Sequence, residues 1–496
     1  MRLRKVVRQV FWGIGFLILL AGFSGVTWAA DQKTLEDTER SIKQQQEQLK
    51  AQREALEAQE RQLKAQAEAL EELKARVEGM AKEQAAAETP SETEKSVQDS
   101  KEELRIAKAH DDSAARNQKV RGIDLAKEED RHTSKGTHFN IPNTGTVVTV
   151  SGYVKGSVIH DFDKIASPAK FITKDIVVNG QPPGEPSHRT TFTANASRFI
   201  IGSSTPTDIG KLTTLISMDF FGNSTDASPD PRLRQAWGQL DDFLAGGGLR
   251  AGQSWSTWDD VSALPETMDF EGPNGSQQTR QPLVRWTRDF QDTYTLWIAV
   301  EDPDYSIENG DNKTNWPDTI VSLNWHGGWG HLKPAFMGRV IKGDSVGGNT
   351  DTKFGWGAQL AGIINVPLLA EKDNFKFQVV YGGGISSYNN DGGFNDAVFD
   401  GNDLKAIYSF QGYGAFQHWW LESLRSNAVF GWVDVDNRSV QPGDALDRTL
   451  YVAVNLVWSP IKQMDIGGEY LWGQRKNKND DDGEANRIQF SAKFNF

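Results

Sequence analysis

Five arginines, Arg198, Arg232, Arg234, Arg250 and Arg285, recur in the middle of the chain among large apolar side chains, and Lys155 precedes them. A guanidinium presents a planar fork of N–H donors. It can give a carboxylate two parallel hydrogen bonds, which an ammonium cannot. Between Arg250 and Arg285 runs a segment of the opposite sign, Ser256 to Arg280, which carries Asp259, Asp260, Glu266, Asp269 and Glu271. Fixed cations facing fixed anions across a gap do no covalent chemistry. They set a field that sorts small ions. The acidic segment has a second reading, as a loop facing solvent. Which applies depends on the elements that carry these charges.

Those elements read as strands. From Thr144 onward the apolar period is two. Val148, Val150, Val154 and Val158 share one face, against Thr149, Ser151, Tyr153, Lys155 and Ser157. Leu450, Val452, Val454, Leu456 and Trp458 alternate with Tyr451, Ala453 and Asn455, and Ile488, Phe490, Ala492, Phe494 and Phe496 alternate with Arg487, Gln489, Ser491, Lys493 and Asn495. Aromatic residues recur on the apolar face near strand ends, as they do where barrels cross the two interfaces of a membrane. About sixteen strands fit between Thr146 and Phe496, an even number as closed bacterial barrels have. Long polar connections (Asp161–His188, Ser256–Arg280, Glu301–Asp318, Ser387–Lys405, Gln474–Ala485) alternate with short ones (Asp289–Asp292, Gly327–Trp329, Ser459–Lys462).

On that template the five arginines belong to strands two, four, five and six and point into the lumen. Phe199, Leu233, Trp237, Leu249, Val284 and Trp286 are expected on the outer face. The segment after strand five becomes the constriction loop. Lys333, Arg339, Lys353 and Lys376 add scattered inward charge, and Trp297 points inward by parity. Trp255 and Trp258 flank the constriction, where stacked rings could guide a sugar.

The N-terminal third is organised differently. Arg2, Arg4, Lys5 and Arg8 precede an apolar run from Val10 to Phe23, and Thr27-Trp28-Ala29 offers small residues at −3 and −1. That is the layout of a signal peptide over 1–29. Over 31–80, Leu35, Ile42, Leu49, Leu56, Leu63, Leu70 and Val77 keep a seven-residue beat. A second layer three residues on is mostly glutamine. This predicts a self-associating coiled coil, in which Leu and Gln layers leave dimer and trimer both open. A charged linker, 81–143, leads to the barrel over 144–496.

Composition narrows the classes. The net charge is −13, which argues against nucleic acid as a partner. Cysteine is absent, so an exported chain would rely on burial and closed hydrogen bonding rather than disulfides. Mean hydropathy is −0.55, which fits a soluble exported protein and equally a membrane barrel, in which lumen-facing and lipid-facing residues alternate. His160, His326, His331 and His418 show no metal spacing. Asp480, Asp481, Asp482, Asp444 and Asp447 read as solvated loop acids, with divalent cation binding as the alternative. No cofactor and no enzymatic motif are expected.

Three stretches together carry a resemblance. Ile141-Pro142-Asn143-Thr144 runs into Val150-Ser151-Gly152-Tyr153-Val154-Lys155. Gly248-Leu249-Arg250-Ala251-Gly252-Gln253-Ser254-Trp255-Ser256 follows, and the N-terminal heptads complete the set. They resemble the DcaP-like family of trimeric outer-membrane porins. The resemblance implies a sixteen-stranded homotrimer that passes small anions, dicarboxylates in particular, with its coiled coil in the periplasm. The C-terminal alternation ending in Phe496 resembles the signal presented to the barrel-assembly machinery. Other readings remain open at this point: a sugar-selective or general diffusion porin, or an outer-membrane anchor tethering peptidoglycan through its coil.

Overall fold

The computed structural model describes residues 136–180, 187–222, 229–291, 293–313, 316–367 and 369–496. The expected signal peptide, the heptad region and nearly all of the charged linker lie outside the described residues. Sixteen antiparallel strands close on themselves. They are β1 (Val147–Asp161), β2 (Arg198–Thr207), β3 (Gly210–Asp219), β4 (Arg232–Leu244), β5 (Gly247–Trp255), β6 (Arg280–Phe290), β7 (Tyr294–Glu301) and β8 (Asp318–Gly327). The circuit continues with β9 (Gly330–Ser345), β10 (Thr350–Asn365), β11 (Asn374–Gly383), β12 (Tyr408–Leu421), β13 (Leu424–Asp436), β14 (Leu446–Ile461), β15 (Met464–Asn477) and β16 (Asp482–Asn495). Closure is made by β1 on β16, with Val158 opposite Phe490 and Lys155 opposite Lys493. Every interior edge is therefore paired, which a backbone crossing lipid requires.

Alternation decides which side chains see lipid. On β1, Val154 and Val158 are exposed, whereas Tyr153, Lys155, Ser157 and Ile159 are buried inside. On β16, Phe490 and Phe494 face out and Arg487, Gln489 and Ser491 face in. The even strand count brings both barrel ends to the end with the short turns. There Gly152 and Phe496 exchange backbone hydrogen bonds, Phe496 N to Gly152 O at 3.0 Å and the reverse at 3.2 Å. The short strand Thr137–Asn140 pairs with β1 just beyond, opposite Val147–Val150. A Cβ at residue 152 would press on the Arg198 carbonyl and the Phe496 ring, so this crossing calls for glycine.

Two sequence expectations change. The long connection expected over Gln474–Ala485 shrinks to 478–481, because Gln474 pairs with Glu484 and Lys476 with Asp482 as the strands run on. Trp237, expected outside, is 5 % exposed and inside the barrel. The cause is a β-bulge. Ser217 faces Gln235 but the next residue, Met218, faces Leu233, so Arg234 is the extra residue. Arg234 and Gln235 both turn inward, and everything after them on β4 changes face.

Candidate functional site

The 256–279 segment does not face solvent. It leaves β5, crosses the lumen and is tied to the far wall. Arg425 on β13 holds Glu266 at 2.5 and 2.6 Å. Asn455 on β14 donates to the Glu266 carbonyl at 2.7 Å. Glu469 on β15 accepts the backbone N–H groups of Met268 and Asp269 at 2.9 and 2.7 Å. Gln378 on β11 accepts from Gln277 N at 2.9 Å, and Lys333 on β9 donates to the Asp259 carbonyl. Gly275 lies so close to the Gly412 and Trp432 backbones that a side chain there would collide with them.

The expected constriction acids are therefore mostly engaged. Asp269 accepts Phe171 N at 2.9 Å, Glu271 N at 2.9 Å and Gly272 N at 3.1 Å. Glu271 pairs with Lys170 at 3.3 Å. Asp260 meets His331 at 2.7 Å and Ser262 at 2.6 Å. Burial opposes its charge, but His331 and Lys333 outweigh burial and hold the carboxyl well below the usual range. Asp259 accepts Thr279 N at 2.9 Å, and burial together with the Glu301 carboxylate pushes its own carboxyl up.

A second segment fills the same half of the lumen. Ile165, Phe171 and Ile176 of the 162–197 connection pack on Tyr451, Ala453, Leu471 and Ala485 of β14–β16. Arg487 donates to the Ser167 carbonyl at 2.8 Å and Arg475 to the Lys174 carbonyl at 2.6 Å. With that side occupied, a cleft of about 210 Å³ is left against the wall formed by β1, β2, β4 and β6.

That wall is cationic. Lys155, Arg198, Arg232 and Arg234, four of the six expected cations, line the cleft. Asp219 on β3 receives Arg232 at 2.9 and 2.7 Å and Arg234 at 2.8 Å, which fixes the two guanidiniums side by side. Arg250 and Arg285 are opposite each other on β5 and β6 and point inward, but they do not line the cleft. Arg250 is fully buried, donating to Gln239 at 2.9 Å and to Ser254 at 3.1 Å over the Trp237 ring. Arg285 lies toward Trp297, 6.0 Å from the ring centroid.

Three lining cations escaped the sequence reading as site residues: Lys170, Arg280 and Lys493. Lys170 sits in a long connection without a period. Arg280 has the opposite parity to Arg285 and reaches the cleft because it opens β6, where the crossing segment meets the wall. Lys493 has the inward parity and could have been found by following β16 around the closure. Of the aromatic residues, Trp255 lines the cleft, whereas Trp258, on the crossing segment itself, is wholly buried against Tyr388 and Gly357. Trp297 points inward and carries Lys333 over its ring at 4.3 Å. Among the described residues no cluster of three metal-ligating side chains occurs.

The crystal structure of the outer membrane channel DcaP of Acinetobacter baumannii has the same fold, with a TM-score of 0.63 at 22% identity over 72% of this chain and 99% of that one. The anion-selective porin from Comamonas acidovorans matches more loosely, with a TM-score of 0.45 at 13% identity over 71% of this chain and 100% of that one. OmpT of Vibrio cholerae gives 0.46 at 12% identity, over 72% of this chain and 99% of that one. Comparison with curated proteins gave no match. Residues 81–496 match the family model described as DcaP outer membrane protein, and the chain belongs to that family of outer-membrane porins, transport proteins rather than enzymes.

Proposed function

We propose that the barrel conducts small anionic solutes passively across the outer membrane, and that dicarboxylates are its preferred cargo. The supporting observation is an imbalance of engagement across the eyelet. On the crossing segment, Glu266 is gripped by Arg425, and Asp269 is saturated by backbone N–H groups. On the wall, Arg198, Arg232, Arg234 and Arg280 line the cleft together, and one carboxylate, Asp219, binds both Arg232 and Arg234. The field in the cleft therefore favours negative solutes. A carboxylate is the anion whose shape best uses a guanidinium fork.

Reversal potentials across a planar bilayer in a KCl gradient test this. An anion-over-cation permeability ratio above one, with block of chloride current by added succinate, is the expected result. A cation-preferring or non-conducting protein overturns it. A sugar-guiding role draws less support, because Trp258, one of the two tryptophans that favoured it, is buried away from the cleft.

The assignment extends to the rest of the chain. The 1–29 segment directs export, 31–80 forms a periplasmic coiled coil that joins three subunits, and 81–143 links it to the barrel. Both barrel ends at the short-turn end support a periplasmic rod. Phe496, at the end of the last paired strand, serves the assembly machinery, and the rod reaches toward peptidoglycan. Deleting 31–80 is expected to leave single-channel conductance intact while weakening the trimer in detergent. A collapse of conductance would place the coil in the permeation path instead.

A further inference from the structure

The cations that line the cleft are not equivalent. Arg232 and Arg234 are held by Asp219. Lys170 is held by Glu271 at 3.3 Å, Lys493 by Asp465 at 3.3 Å, and Lys155 donates to the Met268 carbonyl at 2.6 Å. Arg198 stands over the Tyr153 ring at 5.5 Å and has further interactions of its own. Arg280 differs. Its guanidinium lies 4.4 Å from the centroid of the Trp255 indole, and among the described residues it has no carboxylate partner and no side-chain hydrogen bond. It is only half-buried; Arg234, Arg232 and Arg198 are near enough to act on it with like charge, and Asp219, already bound to Arg232 and Arg234, offsets them only in part.

An arginine with five N–H donors among other cations is unfavourable unless something negative completes it. Arg280 is kept in place by the indole face, an attraction that leaves the in-plane donors unused. Two donors on the residues that touch or flank Arg280 are also unspent. Trp255 is 4 % exposed and Arg234 3 % exposed, yet Trp255 Nε1 and Arg234 Nε have no hydrogen-bond partner. Arg234 also stands over the Trp255 ring, at 5.5 Å. Orphaned buried donors are rare and call for an explanation. Here they belong to two side chains that flank Arg280, and each is a donor.

We propose that Arg280, mounted on Trp255 and flanked by Arg234, is the residue that binds the permeating carboxylate and sets the preference for organic anions over chloride. The inference rests on the anion-porin reading above and deepens it: the wall arginines supply the general field, and Arg280 supplies the recognition. Carboxylate geometry follows from the planar fork. A spherical halide gains from the charge but cannot use two parallel donors.

Purified full-length protein in planar bilayers tests this, with chloride as the current carrier and succinate as the added blocker. Arg280→Lys keeps the charge and removes the fork. It should hold the chloride-over-potassium permeability ratio near that of the parent while weakening succinate block about tenfold, the scale of one lost charge-assisted hydrogen bond. Arg280→Gln should lower both. Arg448→Gln, which removes an outward-facing arginine paired with Asp434 at 2.5 Å, is the control and should change neither. Heat-modifiable migration on gels confirms that each variant is a folded barrel.

If the parent is anion-selective and Arg280→Lys is blocked by succinate as strongly as the parent, Arg280 is one charge among several and this inference fails alone. If the parent prefers cations, the underlying reading fails first. Loss of block in the control as strong as in Arg280→Lys would also overturn the assignment.

Discussion

Arg425 on β13 grips Glu266 of the 256–279 segment with both edges of its guanidinium, Nη2 at 2.5 Å from Oε1 and Nε at 2.6 Å from Oε2. Each side chain is about 5 % exposed, so water does little to screen the pair. The same guanidinium reaches Asp465 at 3.1 Å and Ser459 at 2.7 Å. An acid that looks in sequence like part of an ion filter serves here as a fastener. It holds the crossing segment on the wall away from the arginines.

Breaking that fastener should widen and destabilise the eyelet. Removing one partner of a buried ion pair leaves the other uncompensated and costs about 3–5 kcal/mol. Glu266→Gln and Arg425→Met are each expected to raise single-channel conductance and to add open-channel noise, as the segment samples positions off the wall. Arg425→Met should have the larger effect, because Asp465 also loses one of its two cations, keeping only Lys493. Unaltered conductance and noise in both variants would mean that the remaining ties, to Glu469, Gln378, Asn455 and Lys333, are enough to hold the segment.

Arg234 and Arg250 share inward placement and near-complete burial, yet their surroundings predict different phenotypes. Arg234 lines the cleft, shares Asp219 with Arg232 and touches the Trp255 face. Arg250 lies outside the cleft, spent on Gln239, Ser254 and the Trp237 ring. Arg234→Ala should therefore lower anion preference in reversal-potential measurements. Arg250→Ala should leave that preference alone and lower the temperature at which the barrel unfolds in detergent, losing hydrogen bonds of about 1 kcal/mol each and the stacking on Trp237. Equal shifts in selectivity from the two would contradict the division of the wall into a cleft and a buried layer.

Much of this architecture is legible from alternation, because a closed barrel gives each residue one of two environments and strand parity reports which. Lys155, Arg198 and the β16 pattern follow that rule. Trp237 breaks it for a reason outside parity: the bulge at Arg234 depends on how β3 pairs with β4, and no local pattern announces the extra residue. Arg280 breaks it too. A residue at the first position of a strand takes its direction from the connection that precedes it. The fate of the acids was illegible for a third reason. Whether Glu266 faces an ion or Arg425 depends on a contact between residues 159 apart in the chain, and both arrangements have the same composition.

The contact between the 162–197 and 384–407 connections should respond to pH. Asp391 accepts the backbone N–H of Thr173 at 3.0 Å and its hydroxyl, beside Lys174. Burial pushes the Asp391 carboxyl up to about 7. The Thr173 hydrogen bonds and Lys174 oppose that rise, while Asp175 and Glu271 add to it. An unfolded aspartate releases its proton near pH 3.9, whereas the folded site keeps it to about pH 7. Between those values the folded state holds more protons, so the contact is strongest at acid pH and loses stability as pH rises toward neutrality. The Phe171–Asp269 bond ties the same stretch to the eyelet, so loosening at Asp391 should appear in the current. Open-channel noise in the parent should be low at pH 5 and rise by pH 8. Asp391→Asn, which cannot ionise, should stay quiet across the range. A parent whose noise is the same at both pH values, or an Asn variant that still responds, would show that Asp391 does not control this latch.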